Sequence, residues 1–291
     1  MTIRIALAQI APYLGLPDRN RDLHLEQAER ARAEGAELLV FPELSLTGYL
    51  LKDMVPDLAL RPDAPALAPL LEASRMLDLV VGFVEEGPDY RHYNSLAYLA
   101  EGRVVHVHRK VYLPTYGMFE EQRYFTAGDS LRAFPTRFGR LALAVCEDIW
   151  HPSLPYLAFM DGALGLLVGS ASPLRGADRA PGDDLPSNAA FWDRLLRHYA
   201  GIYAGWVAFC NRCGVEDGTS FWGGSRLVGP DGGLVAEAPL HEPALLVGEL
   251  DPAALRRRRQ AFSAVRDERP EVAFRGLERI LRDRAAGVEA P

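Results

Sequence analysis

LALAVCED, residues 141–148, is the stretch that decides the fold, because an apolar run ends there in three side chains that can do chemistry. The run Leu141–Val145 is typical of a short buried strand. Cys146 follows directly after its last residue. Loops at strand ends in α/β folds converge over a rigid sheet, and functional sites are built there. We therefore expect a strand that delivers Cys146 to a site.

Two other segments share this layout of an apolar strand followed by a reactive side chain. LLVFPE, residues 38–43, ends in Glu43, and VVHVHRK, residues 104–110, ends in Lys110. Because strand ends meet at a common edge, the pattern predicts that Glu43, Lys110 and Cys146 belong to one site.

The rest of the chain alternates strand-like and helix-like patterns, which predicts one α/β domain over residues 1–291. Glu101-Gly102 lies between two strand patterns and is typical of a two-residue hairpin turn. The clearest helix spans Trp192–Tyr203, with Ser187 or Asn188 as the candidate cap. Because the hairpin argues against a purely parallel sheet, a two-sheet sandwich flanked by helices fits best.

Composition narrows the class of protein. The 291 residues are 48% apolar, and 32 basic against 39 acidic residues give a formal charge of −7, which gives no support to nucleic-acid binding. No signal-peptide pattern frames the N-terminal apolar segment, and no apolar run is long enough to span a membrane. Three cysteines do not make a disulfide framework. We expect a cytoplasmic protein with reduced thiols.

A cysteine, a glutamate and a lysine suffice for amide hydrolysis without a cofactor or metal. The Cys146 thiolate can act as nucleophile, and Glu43 can take the thiol proton and pass it to leaving ammonia. Lys110 can neutralise the oxyanion of the tetrahedral intermediate. Each residue alone has a plainer interpretation, since an isolated charge is usually solvated and a buried cysteine is usually inert.

Two other groupings resemble metal or redox motifs and are weaker. Cys210 and Cys213 have the CxxC spacing, but no second ligand pair accompanies them. His106 and His108 share one strand face without a third ligand. We interpret the cysteines as ordinary core and loop residues and the histidines as a packed or solvent-facing pair, and we predict no metal site.

The sequence resembles the nitrilase superfamily of carbon–nitrogen hydrolases. The resemblance is carried by four motifs in order: FPEL with TGY (residues 41–44 and 47–49), RKVYLP (109–114), VCEDIW (145–150), and NRCG with FWGGS and PDG (211–214, 221–225, 230–232). It implies a four-layer αββα sandwich, often a homo-oligomer, with Glu43, Lys110 and Cys146 as the catalytic triad. Many members carry a second glutamate, and the frame Phe119, Tyr124 and Phe125 places it at Glu121 rather than Glu120.

One branch is more similar than the others. Residues 110–125 and 146–150 are similar to the glutaminase domain of glutamine-dependent NAD synthetase. That resemblance implies a glutamine pocket lined by Tyr49, Tyr116, Phe119, Glu147 and Ser172. Glu147 would meet the substrate ammonium, and an arginine after Ser172, either Arg175 or Arg179, would meet its carboxylate.

The resemblance is incomplete, because residues 1–291 contain no phosphate-binding loop of an ATP-using synthetase domain. Three functions remain open. The first is a glutaminase that supplies ammonia to a separate NAD synthetase subunit. The second is a free-standing amidase, such as an ω-amidase or N-carbamoyl amidohydrolase. The third, an inactive regulatory subunit, is disfavoured because the whole triad is present.

Overall fold

In the computed structural model, which describes residues 2–175, 186–262 and 264–287, two six-stranded sheets lie face to face. The strands are β1 Ile3–Gln9, β2 Leu38–Val40, β3 Asp78–Glu86, β4 His92–Ala100, β5 Arg103–Arg109, β6 Phe134–Thr136, β7 Gly139–Val145, β8 Gly165–Ser170, β9 Trp206–Asn211, β10 Cys213–Glu216, β11 Thr219–Trp222, β12 Arg226–Val228, β13 Leu234–Glu237 and β14 Ala244–Leu250. Sheet 1 has the order β14-β1-β2-β3-β4-β5, and sheet 2 has the order β13-β12-β9-β8-β7-β6. Strands β10 and β11 form a separate hairpin.

The described residues also form nine α-helices. They are α1 Pro17–Ala33, α2 Val55–Leu58, α3 Ala68–Ala73, α4 Glu121–Tyr124, α5 Ser153–Met160, α6 Ser187–Tyr203, α7 Pro252–Ala261, α8 Ala264–Asp267 and α9 Pro270–Ala285. Helix α1 contributes Ala28 and Ala31 to a cluster on sheet 1, whereas α5 and α6 pack against β8 and β9 of sheet 2. The predicted αββα sandwich is therefore confirmed.

Strand alternation explains how β1 serves two layers at once. Ile5 and Leu7 point into the core between the sheets, whereas Ala6 and Ala8 point toward α1 and α3. Successive side chains of a strand face opposite sides of its sheet. Both faces of β1 are buried from Ile5 to Ala8, so these four residues are all apolar, whereas Arg4 before them is exposed.

Turn geometry and helix capping define the ends of several elements. Glu101 and Gly102 have φ of +54° and +76° between β4 and β5, as a primed two-residue turn requires. Asp251 caps α7 by accepting hydrogen bonds from the backbone N–H groups of Ala253 and Ala254. The predicted Ser187 or Asn188 cap is wrong: Pro186 occupies the N-cap position and Ser187 is already helical.

Within the described residues, none of the helices combines the length and the apolar character that a membrane-spanning helix needs.

Candidate active site

Three strand ends from two different sheets meet at one buried point. Glu43 lies just beyond β2 and Lys110 directly after β5, both in sheet 1, whereas Cys146 follows β7 of sheet 2. Glu43 and Lys110 are each 1% exposed, and Cys146 is 9% exposed. The structure thus brings the three predicted catalytic residues together in the interior.

Glu43 is held by hydrogen bonds to both of its carboxylate oxygens. Oε1 accepts from Lys110 Nζ at 2.7 Å and from Asn94 Nδ2 at 2.7 Å, and Oε2 accepts from the Ala171 backbone N–H at 2.8 Å. Its segment crosses β3 so closely that a Cβ at Gly82 would lie 2.3 Å from the Pro42 carbonyl oxygen. These contacts fix the orientation of a buried carboxylate that would otherwise have several rotamers.

Lys110 lies between two carboxylates. Its Nζ also donates to Glu121 Oε1 at 2.6 Å, and Tyr49 donates its hydroxyl to the same oxygen at 2.6 Å. Burial tends to lower the pKa of Lys110, but the charges of Glu121 and Glu43 outweigh it and raise the pKa well above its usual value. The lysine is therefore a cation.

Two carboxylates and one ammonium leave a net negative charge in the interior. Burial raises the pKa of Glu121 to about 7, because the opposing effects of Lys110 and Tyr49 compensate only in part for burial and for the Glu43 charge. Burial thus places the pKa of Glu121 within the range over which an amide hydrolase is assayed.

Cys146 has an unusual backbone conformation for its residue type. Its φ of +42° lies in the left-handed region, which non-glycine residues rarely adopt, and it begins the short 3₁₀ turn Cys146–Trp150. Such conformations cost about 1–3 kcal/mol and cluster at functional sites. Ser170 Oγ lies 3.3 Å from the sulfur and can donate a hydrogen bond to it.

The Cys146 thiol is kept neutral in this environment. Burial raises its pKa well above the usual value, the Glu43 charge raises it further, and Lys110 and Ser170 lower it in part. A thiol in this state needs a nearby base to become a nucleophile. The arrangement supplies a carboxylate base and a cation beside one thiol, which is the minimum set for acyl transfer through a thioester.

Oppositely charged side chains lie beside the predicted pocket aromatics. Tyr116 donates its hydroxyl to the Glu147 carboxylate at 3.0 and 3.1 Å. The Arg175 guanidinium lies 4.4 Å from the Phe119 ring centroid and 5.5 Å from that of Tyr116. A cleft of about 550 Å³ opens beside Tyr116 and Glu147. Tyr49 packs edge-on against Phe119 at 6.5 Å, so these residues form one group.

Two residues of the predicted pocket differ from this group. The Ser172 hydroxyl oxygen accepts hydrogen bonds from the indoles of Trp192 and Trp222 at 3.0 and 3.2 Å, so only its own proton is left for a ligand. Arg179 lies outside the described residues.

The two histidines and the two cysteines lie in different surroundings. His106 stacks on Phe134 at 4.3 Å, whereas His108 contacts Asp148. Cys210 and Cys213 are buried free thiols whose sulfurs face backbone carbonyls of β1.

Sequence reasoning did not identify several residues that support the site, namely Asn94, Asp148, Ser170 and Glu216. Asn94 and Ser170 lie inside or at the end of strands, and a lone amide or hydroxyl there gives no signal of its neighbours. Glu216 accepts hydrogen bonds from the backbone N–H groups of Tyr49 and Leu50, 166 or more residues away in sequence. Asp148 alone had a signal, because an acidic residue two positions after a nucleophile can bond the turn that carries it.

Comparison with known proteins agrees with this geometry. The family model described as Carbon-nitrogen hydrolase matches residues 4–260. The chain is 33% identical over 254 residues to a glutamine-dependent NAD(+) synthetase of Thermotoga maritima, covering 86% of this chain but 42% of that protein. It is 30% identical over 258 residues to an N-carbamoylputrescine amidase of Arabidopsis thaliana, covering 83% and 84% respectively. The chain thus spans less than half of the synthetase.

Solved structures of both kinds superimpose on the chain. A glutamine-dependent NAD+ synthetase from Acinetobacter baumannii matches with a TM-score of 0.78 at 29% identity, over 88% of this chain and 47% of that one. An amidase variant from Nesterenkonia sp. matches with a TM-score of 0.77 at 30% identity, over 94% and 96%. That variant carries the acetamide moiety of fluoroacetamide, added covalently at its active-site cysteine.

Proposed function

This chain belongs to the carbon–nitrogen hydrolase family and hydrolyses amides, and we propose that its substrate is the side-chain amide of L-glutamine. The proposal assigns Cys146 as nucleophile, Glu43 as general base and acid, Lys110 as oxyanion partner and Glu121 as the carboxylate that holds Lys110. The proposal of glutamine as substrate rests on the two charged side chains beside Tyr116, Glu147 and Arg175.

The proposed reaction has two halves. Cys146 attacks the amide carbon while its proton passes to Glu43, and Lys110 stabilises the resulting oxyanion. Collapse breaks the C–N bond, and Glu43 returns the proton to the departing nitrogen, so that ammonia leaves and a thioester remains. Water then attacks the thioester with Glu43 as base, which releases glutamate and restores the thiol.

A free amino acid presents an ammonium and a carboxylate, and this site has a counter-charge for each. Glu147 follows Cys146 directly, and its carboxylate bonds to the Tyr116 hydroxyl. Arg175 stacks on the ring of Phe119, on the same group of aromatics. Arginine binds a carboxylate in bidentate fashion, and burying such a charge without a partner is costly. The position of Arg175 supports it as the carboxylate-binding arginine.

The alternative substrate class, N-carbamoyl amines, fits this pair of charges less well. N-carbamoylputrescine carries an ammonium at its far end and has no carboxylate. Glu147 suits that ammonium, but Arg175 would then remain unpaired beside a second cation. Like charges in one partly buried site repel. Arg175 therefore favours glutamine.

Substrate analogues combined with variants test this assignment. Glutamine, glutaramate (no ammonium), 4-aminobutanamide (no carboxylate) and N-carbamoylputrescine are compared on the parent, Arg175→Ala and Glu147→Gln. Hydrogen bonds to charged groups contribute about 1.5–3 kcal/mol, so each missing group should cost roughly 10- to 100-fold in kcat/KM. Arg175→Ala should impair glutamine turnover but barely affect 4-aminobutanamide turnover, because that substrate has no carboxylate. Glu147→Gln should impair glutamine turnover but barely affect glutaramate turnover, because that substrate has no ammonium.

Arg123→Ala is the matched control, because Arg123 is an exposed arginine that lies over the ring of neighbouring Tyr124. It should leave the substrate order unchanged. Faster turnover of N-carbamoylputrescine or simple aliphatic amides than of glutamine would refute the glutaminase and leave a free-standing amidase.

We further propose that the released ammonia is used by a separate ammonia-dependent NAD synthetase. The similarity of the chain to the glutamine-dependent synthetases supports this pairing. Glutamine hydrolysis should rise severalfold when that synthetase and its substrates are added. A catalytically inactive Cys146→Ala chain should support no glutamine-dependent NAD formation, although free ammonia still does.

A cytoplasmic homo-oligomer is the proposed state of the protein. Three free thiols are in keeping with a reducing compartment. Helix α9 exposes Phe274, Leu277 and Leu281 by 60% or more, and these residues fall at helical spacing on one face. Light scattering should give a mass above that of one chain, and Phe274→Glu with Leu281→Glu should reduce it.

A further inference from the structure

A single buried carboxylate joins the lysine segment to the nucleophile segment. Asp148 Oδ1 accepts hydrogen bonds from the backbone N–H groups of Val111 at 2.9 Å and Tyr112 at 3.1 Å, the two residues after Lys110. Its Oδ2 accepts from the N–H of Val145 at 2.9 Å, the residue before Cys146. Asp148 is fully buried, so these bonds are not exchanged with water.

The two segments belong to different sheets, which makes this junction necessary. Lys110 follows β5 in sheet 1, and Cys146 follows β7 in sheet 2. The layer between the sheets is mainly apolar, and apolar contact is non-directional. Packing therefore holds the sheets together but does not set the distance between a strand end of one sheet and a strand end of the other. Glu43 accepts its own hydrogen bond from Ala171, the residue after β8 of sheet 2, and Asp148 provides the corresponding bond for the lysine segment.

His108 completes the coordination of this carboxylate. Its Nε2 lies 2.8 Å from Asp148 Oδ2, and its side chain is 1% exposed. Since a carboxylate can only accept, Nε2 carries the proton. His106, two residues earlier on the same strand face, stacks on Phe134 in sheet 2. Within the described residues, His108 bonds to the catalytic segments and His106 does not.

We propose that His108 and Asp148 are a positioning pair that sets the distance between the Lys110 ammonium and the Cys146 sulfur across the two sheets. The proposal rests on the assigned roles of these two residues in the proposed function, but it does not depend on which amide is hydrolysed. Without the imidazole, the Asp148 carboxylate loses one hydrogen-bond donor. Its side chain can then rotate away from the backbone N–H groups that follow Lys110. Lys110 then lies farther from the thiolate and from the oxyanion that it stabilises.

The test compares His108→Leu, His108→Asn and His108→Gln with His106→Leu as the matched control. A glutamine amide nitrogen overlies the position of histidine Nε2 and can still donate to Asp148, whereas an asparagine amide stops short of it. Two readouts are measured: kcat on the amide that the parent hydrolyses fastest, and the pH dependence of Cys146 alkylation by iodoacetamide, with mass spectrometry to assign the adduct. Thermal melting establishes which variants are folded.

A misplacement of about 1 Å costs on the order of 10²-fold in rate, so His108→Leu and His108→Asn should lose roughly that factor in kcat. Their alkylation midpoint should move to higher pH, because Lys110 stabilises the thiolate less. His108→Gln and His106→Leu should stay within about threefold of the parent in kcat, with the parent's alkylation midpoint.

Two outcomes would overturn the positioning role. One is that the glutamine and asparagine variants at residue 108 behave alike; the other is that Cys146 alkylation keeps the parent midpoint in every folded variant. Alkylation needs no amide turnover, so it decides the question even if the glutaminase assignment fails. Failure of that assignment is recognised separately, by the parent's own order of substrates.

Discussion

Replacing Tyr49 by phenylalanine should shift the acid side of the pH–rate profile to higher pH. The Tyr49 hydroxyl donates to Glu121 Oε1 at 2.6 Å, and this bond stabilises the carboxylate over the neutral acid. Without the hydroxyl, the pKa of Glu121 rises further above its parent value of about 7. Protonated Glu121 no longer holds Lys110 as an ionic partner, so kcat should fall as pH drops through that pKa.

The size of the shift follows from the bond that is removed. A hydrogen bond to a charged group contributes about 1.5–3 kcal/mol, and one pKa unit corresponds to about 1.4 kcal/mol. The acid limb of log kcat should therefore move up by about one to two pH units. At pH 7 the variant should be roughly 10-fold slower than the parent, and at pH 9 the two should converge.

The assay is initial-rate ammonia release between pH 5.5 and 9.5 at saturating substrate, so that kcat reports the enzyme–substrate complex. Tyr98→Phe is the matched control, because Tyr98 donates to the buried Asp78 at the same 2.6 Å but lies near the end of β4, whereas Asn94, the partner of Glu43, lies near its start. That variant should lose stability without moving the acid limb. An acid limb that stays in place or moves to lower pH in Tyr49→Phe would refute the role given to Glu121.

The other predictions concern the triad and the acid stability of the fold. Cys146→Ala should abolish amide turnover while thermal melting stays close to that of the parent, and an electrophilic glutamine analogue should label Cys146 alone by mass spectrometry; labelling of Cys210 or Cys213 would contradict the assignment. Glu43→Gln and Lys110→Ala should each lower kcat by about 10²–10³-fold, the usual cost of losing one transition-state partner, and near-parent activity of either variant would exclude its role. Burial lowers the pKa of His24 to about 4, so the unfolded chain binds its proton first, and the free energy of unfolding should decrease by about 3 kcal/mol on this account as pH falls from 6.5 to 4. Urea unfolding of His24→Gln at pH 7 and pH 4.5 should show a correspondingly smaller pH dependence, and an unchanged dependence would assign the acid sensitivity elsewhere.

The sequence alone was enough to predict the layers of the fold and the three residues at its centre. Apolar runs such as Leu141–Val145 and Leu38–Val40 are buried on both faces, and burial on both faces leaves a continuous apolar pattern that can be read without a structure. Chemistry also has local signals, because a cysteine and a glutamate stand just beyond such runs and a lysine directly follows strand β5. Four motifs in order then identified the family.

The tertiary structure decided how those residues act on one another. The pKa of Glu121 depends on burial and on charges from Lys110 and Glu43, which lie 11 and 78 residues away in sequence. The position of Arg175 over Phe119, on which its proposed role as carboxylate partner rests, is likewise revealed by no spacing in the sequence. His108, which the sequence suggested was packed or solvent-facing, bonds to Asp148 in the turn after β7 of the other sheet. The pattern of apolar residues in a strand indicates which of its side chains are buried. The distances between side chains of two different sheets are set only when the sheets pack together. Because the electrostatics of the site depend on those distances, they could not be predicted from the sequence.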